Sequence, residues 1–151
     1  MCHFLQLYFT GYVEIRYDEG NMSFRKKVYF MCIFNKRFRN QHSADIFKDV
    51  VFDFRQNDKS EWKSIGRSKK SMSYIVQNIP GEDIIKKVEM YRYECEISSY
   101  RCSASIAVDF KYDECLSYSK MPTFRCRILN RNETLDISRV LRLPLKGEKI
   151  K

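Results

Sequence analysis

The stretch YRCSASIAVDFKY, residues 100–112, constrains the fold more than any other part of the chain. Tyr100, Cys102, Ala104, Ile106, Val108, Phe110 and Tyr112 occupy every second position. Arg101, Ser103, Ser105, Ala107, Asp109 and Lys111 stand between them. Successive side chains of a strand point to opposite faces, so this period of two predicts a strand with one face in a core. The other face is small or mixed in charge, which suits solvent or a docking surface.

The same parity predicts the strand's partner. Tyr91, Tyr93, Cys95 and Ile97 share one face, and Ser98-Ser99 follow. A hairpin centred on those serines sets Ile97 against Tyr100, Glu96 against Arg101, Cys95 against Cys102, Tyr93 against Ala104 and Tyr91 against Ile106. A slip of one residue would turn the apolar set to the wrong face.

Further strands are predicted at residues 13–17, 71–76 and 123–128. Residues 28–34 form a continuous apolar run that reads as a strand buried on both faces. A last strand runs through Leu135, Ile137, Leu141 and Leu143, with a bulge near residues 138–140. Two segments read as helical. Ile46, Phe47, Val50 and Val51 recur at helical spacing behind a capping Ser43, and Glu82-Asp83 precede Lys86-Lys87 as in a single turn. Pro80-Gly81 marks a break between elements. Many short strands separated by turns predict an all-β chain, or a β-rich one with one or two short helices. The expected architecture is an antiparallel β-sandwich of C2-like, immunoglobulin-like or jelly-roll type. One domain is expected over residues 1–145, with a frayed tail at 146–151.

Chemistry is sparse. The chain has six cysteines and two histidines. No C-x2-C pair offers a zinc knuckle, and no phosphate-binding loop or nucleophile motif is present. The acidic pairs Asp18-Glu19, Glu82-Asp83 and Asp113-Glu114 read as solvated turns rather than calcium ligands. No catalytic residue, metal or cofactor is therefore predicted; His42 reads as a solvated loop residue. Without a recognisable signal peptide or membrane span, the cysteines read as free thiols in a cytoplasmic or nuclear protein. A Cys95–Cys102 bridge is geometrically allowed, but that compartment argues against it.

Charge points to binding instead. Lysine and arginine number 28 against 19 acids, a formal surplus of +9, which attracts polyanions and acidic protein faces. Two basic segments carry aromatic residues. One holds Lys36, Arg37, Phe38 and Arg39; the other holds Lys59, Lys63, Arg67, Lys69 and Lys70 around Trp62. These are the candidate binding residues. The expected function is a non-enzymatic interaction module docking a protein partner through this surface or through a strand edge. The alternative is binding of RNA or other single-stranded nucleic acid, with cations on phosphates and rings on bases. An anionic membrane surface is a lesser expectation.

Overall fold

The computed structural model describes residues 7–17, 24–35, 48–81, 84–98, 101–110, 122–130 and 133–142. These contain eleven strands and no helix: β1 (Leu7–Tyr17), β2 (Phe24–Asn35), β3 (Lys48–Arg55), β4 (Lys63–Ser68), β5 (Ile75–Asn78), β6 (Ile85–Met90), β7 (Glu94–Cys95), β8 (Arg101–Phe110), β9 (Thr123–Asn130), β10 (Glu133–Ile137) and β11 (Leu141–Arg142). They form two antiparallel sheets. Sheet A runs β1-β2-β8-β6-β5, with β7 also on β8; sheet B runs β10-β9-β3-β4, with β11 also on β9. No helix among the described residues is long and apolar enough to cross a membrane.

The alternation in β8 decides its burial. Cys102, Ala104, Ile106, Val108 and Phe110 are buried, while Ser103, Ser105 and Asp109 are half-buried. β2 corrects the expectation of a strand buried on both faces. Val28, Phe30, Cys32 and Phe34 turn inward, whereas Tyr29, Met31 and Ile33 are half-buried on the outer face. The sheets meet through aromatic rings: Phe30 of sheet A lies 4.3 Å from Phe124 of sheet B, centroid to centroid, and Phe9 lies 6.2 Å from Phe52.

Four cysteines are paired, which overturns the free-thiol expectation for them. Cys32 on β2 and Cys126 on β9 are buried and joined across the two sheets, 94 residues apart in sequence. Cys95 and Cys102 are joined across the β7–β8 hairpin. Inward-facing cysteines on opposed strands lie within bonding reach, and for Cys95 and Cys102 the shared parity of the hairpin set them opposite each other.

The expected hairpin register holds at its tip. Cys95 faces Cys102, and the Glu96 N–H donates to the Arg101 carbonyl at 2.7 Å. It fails further down, where Met90 rather than Tyr91 faces Ile106. Residues 91–93 leave the ladder between these points, and Tyr93 does not pair with Ala104. Ile97, expected on the core face, is 97% exposed. The two helical expectations also fail where they can be seen. Val50 and Val51 lie in β3, and Lys86 and Lys87 in β6; pairing on the sheet overrides weak local helical spacing. Ser43, Ile46, Phe47, Glu82 and Asp83 lie outside the described residues. Gly81 (φ +87°) follows Pro80 in the expected turn, a conformation that costs glycine little.

The expected bulge near residues 138–140 is the gap between β10 and β11. Ser138 bridges it: its N–H donates to the Cys126 carbonyl and its Oγ accepts from the Cys126 N–H, both at 2.9 Å.

Candidate functional site

The basic segments come first. Lys36, Arg37, Phe38, Arg39 and His42 lie outside the described residues. The second segment does not gather into one patch. Lys59 sits in an exposed turn, Lys63 and Arg67 lie along β4, and Lys69 and Lys70 pass beyond its end toward sheet A. Arg67 Nη1 lies 3.5 Å from Asp49 Oδ2.

Trp62 is half-buried, with the guanidinium carbons of Arg55 and Arg125 at 4.4 and 4.3 Å from its ring centre. Both arginines are already engaged. Arg55 Nε donates to Thr123 Oγ1 at 3.1 Å, and Arg125 Nε to Asp53 Oδ2 at 2.9 Å. Arg127 completes the arrangement, donating from Nε and Nη2 to the two oxygens of Asp53 at 2.6 and 3.1 Å. Here the outer face of sheet B carries ion pairs and two guanidinium groups stacked on one ring, which hold one another.

The candidate Lys70 lines a hollow of about 610 Å³ with Arg92, Glu94, Glu96 and Ile97. Another hollow lies on the outer face of sheet A, where sequence reasoning proposed no site. After Met90 the chain leaves β8. Tyr93 turns into the core, edge-on to Phe34 at 5.2 Å, and its N–H donates to the Lys69 carbonyl at 3.2 Å. Ser68 Oγ donates to the Tyr91 carbonyl at 2.6 Å. The departure exposes a hollow of about 680 Å³ above β8, lined by Tyr29, Met72, Ser73, Tyr74, Tyr91, Arg92, Glu94, Ser103 and Ser105. The serines keep the floor low. Tyr74 and Tyr91 form a wall with centroids 5.1 Å apart and planes tilted by 40°. Arg92 and Glu94 pair at the rim at 3.7 Å, both largely exposed. An irregularity beside a concave site is a common way for a sheet to re-aim side chains. The small outer face of residues 100–112 was the available signal for this floor.

The wall is held from beneath. Tyr74 Oη donates to Glu89 Oε1 at 2.7 Å, and Glu89 also pairs with Lys27. That hydrogen bond, helped by desolvation and the carboxylate's charge, pushes the Tyr74 hydroxyl up to about 12. Burial would raise Glu89, but its bonds to Lys27 and Tyr74 prevail and hold it below the usual carboxylate value. Burial would likewise lower Lys27; Glu89 and Asp109 outweigh that and hold its ammonium above the usual value.

Beside the wall, β5 is the last strand of sheet A among the described residues. Tyr74, Ile75 and Val76 are consecutive and 54%, 44% and 48% exposed. Ile75 faces inward with its partner Met90 yet stays exposed. The facing sheet ends among the described residues at β4, whose Gly66 packs on Val88, Met90 and Ile106. β5 therefore overhangs. Its backbone directions follow from one bond: the Ile79 N–H donates to the Lys86 carbonyl at 3.1 Å. In an antiparallel ladder alternate residues bond the same neighbour. Ile75, Gln77 and Ile79 thus address β6, and Val76 and Asn78 direct their N–H and C=O groups outward.

Among the described residues no group of three or more histidine, cysteine or acidic side chains could hold a metal ion. No protein-family model, curated protein or solved structure matches this chain.

Proposed function

We propose that the chain is a non-enzymatic β-sandwich module that docks a protein partner by accepting an extended segment as an added strand on β5. The observation that carries this reading is the overhanging β5 edge, with outward backbone groups at Val76 and Asn78 beside the exposed run Tyr74-Ile75-Val76. Strand addition takes its affinity from main-chain hydrogen bonds and its specificity from alternate side chains. The partner segment is apolar in its centre, to cover Ile75 and Val76. It is acidic at its flanks, to match the surplus of +9 and the exposed Lys86. Two chains of this charge repel each other, which disfavours a second copy as the occupant.

Of the three expected architectures, the immunoglobulin-like one gains support from the buried bond between facing strands. The cytoplasmic or nuclear placement rested on the lack of a recognisable signal peptide or membrane span, and the two disulfides favour an oxidising compartment instead. Nucleic-acid binding has thinner support, because Trp62 packs against Arg55 and Arg125 and the cations near it in sequence are spread from a turn, along β4 and past its end.

The test is selection from a random linear peptide library on the disulfide-intact chain, followed by calorimetry of the enriched peptides. Proline is tolerated on an edge strand where its missing N–H would have faced solvent. Val76→Pro should therefore keep the thermal transition and weaken binding at least about tenfold. Failure to enrich any peptide, or enriched peptides indifferent to Val76→Pro, would refute strand addition.

A further inference from the structure

The hollow above β8 has a chemistry of its own, independent of strand addition at β5. Its walls are the rings of Tyr29, Tyr74 and Tyr91 with Met72, and Ser73, Ser103 and Ser105 bring three hydroxyls to it. Its charged lining residues among the described ones, Arg92 and Glu94, pair with one another at the rim, so the described lining carries no net charge to be met by a ligand. An aromatic face is electron-rich and receives weakly positive C–H groups. A hydroxyl both donates and accepts, so it complements a ligand whose own groups do both. Planar guanidinium and carboxylate groups add paired hydrogen bonds. Breaking the exposed Arg92–Glu94 contact to supply them costs little, since surface ion pairs contribute at most about 1 kcal/mol.

The ligand that combines an apolar C–H face, a hydroxyl rim and no charge is a neutral sugar ring. We propose that the hollow binds a neutral hexopyranose unit of a glycan, stacked on the Tyr74–Tyr91 wall with its hydroxyls toward the serines. At about 680 Å³ the space exceeds one ring and fits a short oligosaccharide. Tyr74 is held against Glu89 at 2.7 Å before any ligand arrives, so the wall loses little freedom on binding.

The experiment is saturation-transfer NMR on the disulfide-intact chain with cellotetraose, chitotetraose and maltotetraose, and a heparin-derived tetrasaccharide as the anionic comparison. Transfer from at least one neutral tetrasaccharide is expected. Ser105→Leu, which fills the floor from a half-buried outer position, should weaken it at least about tenfold. Tyr91→Ala, which removes half the wall, should do the same, and unchanged amide spectra confirm that both variants fold. Transfer from none of the three neutral sugars overturns the proposal. So does transfer that survives Ser105→Leu. Binding of the heparin tetrasaccharide alone, abolished by added salt, overturns it too and assigns the attraction to net charge.

Discussion

Arg127 grips Asp53 at two points, Nε to Oδ2 at 2.6 Å and Nη2 to Oδ1 at 3.1 Å, while Arg125 shares Oδ2 at 2.9 Å. The carboxylate is 2% exposed and the two arginines 20% and 24%. Removing it leaves two partly buried cations facing each other. Asp53→Ala should cost on the order of 2–4 kcal/mol, below the full penalty for a buried pair because the arginines reach solvent. Urea unfolding measures it. A loss under about 0.5 kcal/mol would show that the two arginines turn to solvent once the carboxylate is gone.

The two disulfides should differ in worth and in access. Chain-entropy arithmetic assigns about 4–5 kcal/mol to a bridge closing 94 residues and about 2 kcal/mol to one closing 7. Cys32→Ala with Cys126→Ala should therefore lower the unfolding midpoint more than Cys95→Ala with Cys102→Ala. Cys32 and Cys126 are both fully buried, whereas Cys95 is half-buried near the hairpin tip. Under limiting reductant, mass spectrometry should find alkylation at Cys95 and Cys102 first. Simultaneous alkylation of all four would contradict this order.

Tyr74 should ionise late. Its hydroxyl is raised from 10.0 to about 12 by the bond to Glu89. A raised value means stability that is complete below the unfolded value and lost as pH rises through the folded one. Ultraviolet titration should show one tyrosine ionising near 12, moving toward 10.0 in Glu89→Gln. Glu89 acts at the other end of the scale. Its depressed carboxyl contributes stability above the ordinary 4.5, lost as pH falls through its folded value. Glu89→Gln should thus flatten acid unfolding as well, and an unchanged acid limb would remove Glu89 from the account.

Gly66 should tolerate one carbon and refuse three. A Cβ there would meet Val88, Met90 and Ile106 at 3.4 Å. Gly66→Ala should be near neutral, while Gly66→Val forces the two sheets apart locally at about 1–3 kcal/mol. Equal midpoints for both would mean that the sheets are looser here than the contacts imply.

Residues 100–112 announced β8, its buried face and the Cys95–Cys102 pairing, because local alternation and a nearby partner suffice for those. The register was lost at Tyr91 because the cause is remote: Ser68 at the end of β4 and Lys69 just beyond it hold residues 91–93 away from β8. The hollow exists only through that departure, so nothing within residues 91–97 could reveal it. Trp62 misled for a related reason. Arg55 and Arg125 lie over its ring, and Arg125 comes to it from 63 positions away. Cys95 was set opposite Cys102 correctly, but the inferred compartment argued against their bond, and the Cys32–Cys126 bond joins strands of two sheets that no local pattern relates.

The bond between Cys32 and Cys126 is a pin through two stacked layers. One pin stops the layers from separating and leaves them free to pivot. The contacts of Ser68 with Tyr91 and of Lys69 with Tyr93 are a second fastening, at the flank beside the hollow. Two fastenings fix an angle. A reduced chain should keep its strands and lose that angle, and with it the depth of the hollow and the reach of the overhanging edge.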